Sequence, residues 1–329
     1  MRLLMLGGTE FVGRALVEDA LARGWDVTVF NRGRHEPPPG ATALVGDRTA
    51  DGGLEPLATG EWDAVVDTWS WAPVAVRDAA RLLADRAERF VYVSSASVYP
   101  LPSAPGNDED APVAQGSTDD AGADDYAAAK RGGELAALGA FGDDRTVLVR
   151  AGLILGPHEN VGRLPWWLTR IAAGGRVVAP GPRDLGLQYI DARDLAAWTL
   201  DAIEKRLSGP YNLVSALNHT TMGELLDACI RATGSDAQLV WTHPERILGA
   251  GVEPWTELPI WVHPGEFHDA MHNTNVDRAL ATGLRCRPVD DTVADTWAWL
   301  RAIGGRAPQR PDRPSPGLPP GKEASLLNP

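Results

Sequence analysis

The fold is decided near the N-terminus by the stretch Arg2-Leu3-Leu4-Met5-Leu6-Gly7-Gly8-Thr9-Glu10-Phe11-Val12-Gly13. Residues 2–6 form a short apolar run, which predicts a strand buried on both faces of a parallel sheet. A helical pattern over residues 15–22 ends at Gly24, and residues 27–30 predict a second strand. A strand, a glycine turn, a helix and a second strand within about 30 residues form the unit that binds dinucleotides.

The glycine turn is where we expect the pyrophosphate of a dinucleotide to bind. Glycines let the backbone approach the phosphates, and the N-terminus of the following helix supplies N–H donors and a positive dipole. The residues expected to contact the cofactor here are Gly7, Gly8, Thr9, Glu10, Phe11, Val12 and Gly13.

The residues after the second strand predict which dinucleotide is bound. An acidic residue at this point would bind both ribose hydroxyls and favour NAD. The chain has Asn31, Arg32 and Arg34 instead, and guanidinium groups suit a 2′-phosphate. Glu10 argues the other way, because a carboxylate in the phosphate loop would repel an extra phosphate. On balance the sequence favours NADP(H) over NAD(H).

The alternation of strands and helices continues to residue 150. We predict helices at residues 74–83 and 126–138 and strands at residues 43–47, 63–67, 90–93 and 147–150. This order predicts an α/β fold with a doubly wound parallel sheet, a Rossmann domain, whose ligands gather at the carboxyl ends of the strands. Asp47 and Asp67 lie at two such ends. We expect Asp47 to meet the adenine and Asp67 to contribute to the cofactor site.

Tyr126 and Lys130 are four residues apart in the second of these helices, which puts both side chains on one face. A lysine ammonium beside a phenol favours the phenolate, so we expect the pKa of Tyr126 to fall from its usual value of about 10. A phenol tuned in this way can give a proton to a carbonyl oxygen or take one from an alcohol. The pair alone is a weak signal, and its weight comes from the glycine turn in the same domain.

Several segments, in this order, carry a resemblance to a known family. They are residues 7–13, 94–99 and 108–112, the pair Tyr126 and Lys130, and residues 155–157. On these segments the chain resembles the extended short-chain dehydrogenase/reductase superfamily, which includes the NAD-dependent epimerase/dehydratase group. The resemblance covers nearly all of residues 1–300. The glycine turn, with Glu10 in place of a glycine, is closer to an atypical branch that includes the chloroplast stem-loop-binding proteins.

The resemblance implies roles for the residues at the centre of the site. Ser95 would orient the substrate oxygen, Tyr126 would be the general acid/base, and Lys130 would bind the nicotinamide ribose and tune Tyr126. Dehydratases of the family place an Asp-Glu pair where this chain has Ala96 and Ser97, so we discount dehydration.

The family's nucleotide-sugar enzymes usually carry an asparagine where Leu153 stands and an arginine near Leu187. Neither polar residue is present, so a smaller or less charged substrate is favoured. The leading expectation is an NAD(P)-dependent oxidoreductase that transfers hydride to or from a small carbonyl or alcohol. An NAD-dependent epimerase acting on a (nucleotide-)sugar and a non-catalytic nucleotide- or RNA-binding protein are the alternatives.

The sequence changes character after Pro157, which predicts a second, smaller lobe. We expect a dinucleotide-binding domain at residues 1–157 with a returning segment near 188–215, a substrate-binding lobe mainly at 158–303, and a Pro/Gly-rich tail at 304–329. Within the tail, residues 305–320 are expected to be extended over the surface or disordered. Asp191, Arg193 and Asp194 are expected to form an ion-pair joint between the lobes. The expected substrate contacts are Ser97, Trp166, Trp167 and Trp255.

Composition narrows the choice of partners. The chain has 329 residues, a net charge of −13 and two cysteines. The negative charge disfavours binding to nucleic acid and to anionic membranes, so a small-molecule substrate is expected, and the low cysteine content suits the cytoplasm. His268 and His272 are four residues apart, but no third ligand is evident and no metal site is predicted. Dimers are common in the family, which makes a homodimer an expectation by analogy.

Overall fold

A computed structural model describes residues 1–101, 104–122 and 124–328 of the chain. Its strands are β1 Arg2–Leu6, β2 Asp26–Asn31, β3 Thr42–Val45, β4 Trp62–Asp67, β5 Ala87–Ser95, β6 Thr146–Ala151, β7 Ile154–Leu155, β8 Arg176–Pro180, β9 Gly186–Leu187, β10 Ile190–Asp191, β11 Gly209–Leu213, β12 Thr220–Thr221 and β13 Gln238–Thr242. Its helices are α1 Phe11–Ala22, α2 Pro73–Leu83, α3 Tyr126–Phe141, α4 Arg163–Ala172, α5 Ala192–Glu204, α6 Met222–Thr233, α7 Pro244–Gly249, α8 Glu266–His272, α9 Asp277–Ala281, α10 Val289–Ala302 and α11 Pro320–Leu327. None of the helices in the described ranges is both long enough and apolar enough to cross a membrane.

Seven of the strands form one parallel sheet in the order β11-β6-β5-β4-β1-β2-β3. β1 lies inside the sheet, where Leu3 pairs with Val27 of β2 and with Ala64 of β4. The strand order reverses between β1 and β4, and ligands of such folds bind at the carboxyl edge beside this reversal. The predicted α/β fold with a doubly wound parallel sheet is confirmed.

Helices cover both faces of this sheet. α1 and α5 pack together on one face, and α2 and α3 pack together on the other. Because both faces are covered, residues 3–6 of β1 are all buried, which is why an uninterrupted apolar run forms this strand. The third strand ends at Val45, earlier than predicted, because Asp47 enters a turn in which its carboxylate accepts a hydrogen bond from Thr49 N at 3.0 Å.

A second hydrophobic core is built mainly from residues beyond 152. α4, α6 and α10 pack around it, and β8 pairs with β13 in parallel. α6 begins at the predicted cap, because Thr221 and Glu224 form a capping box. Residues 209–213 do not belong to this core. They form β11, which pairs with β6 as an outer strand of the main sheet.

Ion pairs connect the N-terminus of α5 to the segment that contains α10. Asp194 pairs with Arg287 at 2.7 Å, and Arg193 pairs with Asp295 at 2.5 Å. The buried carboxylate of Asp191 also binds Arg193, at 2.8 Å. The predicted ion-pair joint is therefore present.

The C-terminal tail is anchored to the second core. Residues 304–319 contain neither helix nor strand, but Leu318 is buried in that core. α11 then holds the chain end through Glu323, which binds Arg170 at 2.9 Å, and through Lys322, which binds Glu257 at 2.7 Å. The expected extended or disordered segment, residues 305–320, thus ends where α11 begins. Pro320 is the first residue of α11, a position at which the missing N–H of proline costs no hydrogen bond.

Candidate active site

The glycine positions at the turn between β1 and α1 have no room for side chains. Gly7 and Gly8 have φ angles of 113° and 94°, which other residues rarely adopt. A Cβ atom on Gly13 would lie 2.7 Å from the backbone N of Gly8, so the helix and the turn touch through their backbones. Glu10 precedes α1, but its carboxylate does not cap the helix, which leaves the first N–H groups of α1 open to an anion. The turn therefore fits the pyrophosphate of a dinucleotide.

The carboxylate of Glu10 is engaged with two other parts of the chain. Its Oε1 lies 3.2 Å from His35 Nε2, and its Oε2 accepts a hydrogen bond from Asn160 Nδ2 at 2.9 Å. Glu10 thus links the phosphate loop to the segment that precedes α4.

The residues predicted to read the adenosine end lie together at the carboxyl ends of β2 and β3. Asn31 ends β2, and Arg32 and Arg34 follow it and are exposed. Asp47 accepts hydrogen bonds from Thr49 Oγ1 and N, at 2.7 and 3.0 Å. These hydrogen bonds lower the pKa of Asp47, and the positive charges of Arg32 and Arg34 lower it further.

Asp67, at the end of β4, holds an arginine that sequence reasoning missed. Its two carboxylate oxygens lie 2.9 and 3.0 Å from Arg48 Nη1, and the pair is almost completely buried. The Arg48 guanidinium also lies over the ring of Trp69, with 5.2 Å between Cζ and the ring centre. Its Nη2 is buried and has no hydrogen-bond partner in the described residues. Asp67 therefore holds the hydrogen-bond donor Arg48 at the carboxyl edge of the sheet. No sequence motif marks Arg48.

Ser95 and Tyr126 meet where β5 ends and α3 begins. Ser95 is the last residue of β5, and its Oγ accepts a hydrogen bond from the backbone N of exposed Ser97 at 3.1 Å. Tyr126 opens α3 because Asp125 caps the helix by accepting two backbone N–H bonds, at 2.9 and 3.1 Å. The Ser95 hydroxyl donates a hydrogen bond to Ser97 Oγ at 3.1 Å and lies close enough to the Tyr126 phenol to lower its pKa. The structure thus brings the two predicted hydroxyl groups together.

Lys130 lies one turn further along α3 and is buried. Its Nζ donates hydrogen bonds to the carbonyl oxygens of Trp69 and Val93, at 2.9 and 2.7 Å, and lies 4.8 Å from the centre of the Tyr92 ring. Burial lowers the pKa of Lys130 to about 7, although the nearby carboxylate of Asp67 opposes this effect. The ammonium is therefore held at the carboxyl ends of β4 and β5.

The predicted lowering of the Tyr126 pKa is wrong. Burial of the phenol raises its pKa above the usual value. The largest opposing influences are the charge of Arg313, the nearby hydroxyl of Ser95, and the charges of Arg310 and Arg163. Lys130 is held against two backbone carbonyls instead. Tyr126 is consequently a protonated phenol at neutral pH.

The C-terminal tail covers Tyr126. The Arg313 guanidinium lies over the Tyr126 ring, with 5.2 Å from Cζ to the ring centre, and Trp71 meets the same ring edge-on at 5.6 Å. Trp71 Nε1 also donates a hydrogen bond to Asp312, at 3.2 Å. Sequence reasoning missed this part of the site, because nothing in a proline-rich segment so distant in the chain signals a contact with the tyrosine.

Two charged residues lie at the start of α4. Glu159 is fully buried, and its carboxylate accepts hydrogen bonds from Arg163 N and Leu164 N, at 2.7 and 3.2 Å. Burial raises the pKa of Glu159 to about 7, against the opposing charge of Arg163. The Arg163 guanidinium lies over the Trp255 ring at 4.9 Å, close enough to Arg313 to interact with it by charge.

The tryptophans predicted to contact the substrate have different environments. The prediction is wrong for Trp167, because its side chain has no exposed surface and its Nε1 donates to Pro259 O at 2.7 Å within the second core. Trp166 meets Trp167 edge-on at 4.7 Å and is covered by Gly317 of the tail. Trp255 is half-buried and lines a surface hollow, so it remains a predicted substrate contact.

Comparison with protein families places the chain. The model of the NAD-dependent epimerase/dehydratase family matches residues 3–214, which is more than half of the chain. The chain belongs to this family. The matched range contains the glycine turn, Ser95, Tyr126 and Lys130, whereas Arg313 lies outside it. A comparison with curated proteins finds no match.

Solved structures with the same fold cover nearly the whole of this family member. A Burkholderia cenocepacia protein described only provisionally as an epimerase has a TM-score of 0.70 at 23% identity, over 92% of this chain and 98% of its own. The Bordetella bronchiseptica enzyme WbmH in complex with NAD+ has a TM-score of 0.66 at 18% identity, over 92% and 99%. The UDP-glucose 4-epimerase of Bifidobacterium longum, in complex with NAD+ and UDP, has a TM-score of 0.65 at 16% identity, over 93% and 99%. At these identities the likeness shows the fold alone.

Proposed function

We propose that the protein is an NAD(P)-dependent oxidoreductase of the short-chain dehydrogenase/reductase type, acting on a small carbonyl or alcohol. The observation that carries this proposal is the meeting of Ser95 and Tyr126 at the carboxyl edge of the sheet, with Lys130 one helical turn away. A bound nicotinamide would accept or supply the hydride. The chain itself has to hold the substrate oxygen and move a proton.

Two hydroxyl groups are available to one substrate oxygen. The hydroxyls of Ser95 and Tyr126 lie close together, so a carbonyl oxygen near both can accept a hydrogen bond from each. Because burial raises the pKa of Tyr126, the phenol carries its proton at neutral pH and can donate it to that oxygen. The resting protonation state therefore supports reduction of a carbonyl.

Lys130 acts as a positioning group in this proposal. Its ammonium has three donors, and two of them are used by the carbonyl oxygens of Trp69 and Val93. The third donor has no partner in the described residues and would bind a hydroxyl of the nicotinamide ribose.

The Tyr126→Phe variant tests the catalytic assignment. It removes the hydroxyl and keeps the ring that packs against Trp71, so we expect normal cofactor binding and a fall in turnover of at least about 100-fold. NAD(P)H absorbance with a panel of small carbonyl compounds gives the rate. Tyr211→Phe, which removes the hydroxyl of a buried tyrosine in β11, is the matched control. Unchanged turnover in Tyr126→Phe would remove the assignment.

We propose NADP(H) as the preferred cofactor. Arg32 and Arg34 are exposed where β2 ends, and Asn31 stands where an acidic residue would favour NAD. The competing outcome is NAD(H), because WbmH and the Bifidobacterium longum enzyme were solved with NAD+. KM values for NADPH and NADH decide between them, and Arg34→Gln should raise only the KM for NADPH. A clear NADH preference of the unmodified protein defeats the arginine argument.

The second candidate function is an epimerase that retains its nicotinamide and oxidises and re-reduces one carbon. One observation favours it: Asn160 Nδ2 donates to Glu10 at 2.9 Å, while Asn160 O accepts from Arg310 N at 3.0 Å. These bonds tie the tail to the phosphate loop, which would hinder release of a dinucleotide. Leu153 and Leu187 are buried, which argues against a nucleotide diphosphate at those positions. Net consumption of NAD(P)H during turnover identifies the reductase, and turnover without consumption identifies the epimerase.

We further propose a small-molecule substrate and a cytoplasmic location, without nucleic acid or membrane as a partner. The net charge of −13 and the free thiols of Cys229 and Cys286 support this. A gel shift with RNA at physiological salt checks the alternative of a nucleic-acid-binding protein, and tight, salt-sensitive binding would revive it. Sedimentation tests the homodimer that the family suggests.

A further inference from the structure

Three arginines gather around the phenol of Tyr126. Arg163 comes from the first turn of α4, and Arg310 and Arg313 come from the tail. Arg313 Cζ lies 5.2 Å from the centre of the Tyr126 ring. Arg163 interacts by charge with both Arg313 and Tyr126. A cluster of like charges at one phenol is costly unless something negative joins it.

Two of the three arginines form no ion pair with a carboxylate in the described residues, although the buried carboxyl of Glu159 acts on Arg163 by charge. Arg310 binds Asp312 through two nitrogens, at 3.0 and 2.7 Å. Neither Arg163 nor Arg313 forms an ion pair within 4.0 Å in the part of the chain that the structure describes, and Arg313 Nε is buried without a hydrogen-bond partner there. Carboxylates are not scarce, because the chain has 44 Asp and Glu residues against 31 Lys and Arg residues.

Stacking on aromatic rings does not supply the missing anionic partner of Arg163 and Arg313. A guanidinium that lies over a ring uses its face, and its N–H groups in the plane remain free to bind an anion. Arg150 shows that one arginine can do both, because it lies over Tyr99 at 5.2 Å and also binds the buried carboxylate of Glu134 at 2.9 Å. Arg163 and Arg313 are stacked in the same way without an ion-paired carboxylate in the described residues.

We propose that Arg163 and Arg313 form an oxyanion-binding subsite for a phosphoryl or carboxylate group of the substrate. The inference rests on the proposed function, since the reacting end of the same substrate lies at Ser95 and Tyr126. Guanidinium groups match the planar, bidentate geometry of both oxyanions. The substrate class is then a hydroxy or oxo compound that carries a negatively charged group.

The tail places Arg313 in this subsite through ties on both sides. Asp312 accepts the indole N–H of Trp71, and Arg310 N donates to Asn160 O at 3.0 Å. Further along, α11 anchors the chain end to the second core. The family model ends at residue 214, so Arg313 would influence substrate choice from outside the matched range.

The test measures anion affinity by calorimetry in the full-length protein saturated with its dinucleotide, which keeps the probes away from the glycine turn. Inorganic diphosphate and succinate are titrated separately, so the responding probe distinguishes a phosphoryl from a carboxylate site. Arg313→Gln and Arg163→Gln should each weaken binding by at least about tenfold, whereas Arg306→Gln should change it by less than about twofold. The control removes an exposed charge from the same tail. Arg313→Lys, which keeps the charge, should retain intermediate affinity.

The subsite is overturned if the unmodified protein binds neither probe, if both arginine variants bind as tightly as it does, or if Arg306→Gln loses as much affinity as they do. Circular dichroism checks that each variant is folded. If Arg313→Gln does not fold, the anion affinity of Arg313→Lys is used in its place. Dinucleotide affinity and the turnover of Tyr126→Phe test the proposed function separately. Anion binding that depends on Arg313 in a protein without turnover upholds the subsite and defeats the oxidoreductase.

Discussion

Replacing Glu159 with glutamine should change how the free energy of unfolding depends on pH. The side chain is fully buried, and burial raises the pKa of its carboxyl to about 7, against the charge of Arg163 and the neighbouring backbone N–H groups. In the unfolded chain the carboxyl returns to its ordinary pKa of 4.5. Between these values the folded protein holds a proton that the unfolded chain has lost, so the free energy of unfolding falls as pH rises.

The size of the effect follows from the distance between the two pKa values. A change from 4.5 to about 7 corresponds to about 3 kcal/mol, because each pH unit over which one proton is held differently contributes about 1.4 kcal/mol. The effect is absent below the unfolded pKa and complete above the folded one. Glutamine does not ionise, so Glu159→Gln should gain about 3 kcal/mol of stability relative to the unmodified protein between about pH 4 and about pH 8.

Urea unfolding followed by tryptophan fluorescence at a series of pH values provides the measurement. The quantity to plot is the difference between the two proteins, because His272 produces an opposite trend in both. Burial lowers the pKa of His272 to about 3, so its stabilising contribution is lost as pH falls below the ordinary value of 6.5. Glu266→Gln, at an exposed position, is the control. A difference that stays constant with pH would refute the argument that buried Glu159 is protonated.

Two further predictions concern residues at the carboxyl edge of the main sheet. Arg48→Met should lower the free energy of unfolding by about 3–5 kcal/mol, since it leaves the Asp67 carboxylate buried without its charged partner. Urea unfolding measures this, and the double variant with Asp67→Asn should recover part of the loss; no recovery would contradict the pairing. Gly13→Ala should weaken dinucleotide binding by more than about tenfold, because its Cβ would meet Gly8 N at 2.7 Å. Calorimetry measures this, with Gly139→Ala as the control because its Cβ would meet nothing within 4 Å; equal affinities would contradict the steric argument.

The dinucleotide-binding half could be predicted from sequence because the forces that shape it are local. Residues 3–6 are apolar throughout because they are buried, and Gly7 and Gly8 adopt the positive φ angles that glycine tolerates best. Tyr126 opens a helix because Asp125, its immediate neighbour, supplies the cap. Each of these features is determined within a few residues, so its sequence pattern is readable.

The charges of the site could not be predicted because they come from contacts between distant segments. Arg48 reaches Asp67 across the sheet, and neither residue carries a motif. The sequence predicts that Lys130 controls the pKa of Tyr126, whereas burial and the tail arginines control it in the structure. Trp167 lies in the core and not in a pocket, because sequence alone does not tell which face of α4 is buried.

The protonation of Tyr126 and the charge of the substrate are coupled by this arrangement. Arg163 and Arg313 favour the phenolate, and neither of them forms an ion pair with a carboxylate in the described chain. An anionic group bound between them would cancel part of that influence and raise the pKa of Tyr126 further, which favours the protonated phenol that a carbonyl reduction requires. Because such coupling is reciprocal, the same anion should bind more tightly when Tyr126 is protonated than when it is ionised. The affinity of the Tyr126→Phe variant for diphosphate or succinate should accordingly stay constant at high pH, where that of the unmodified protein declines.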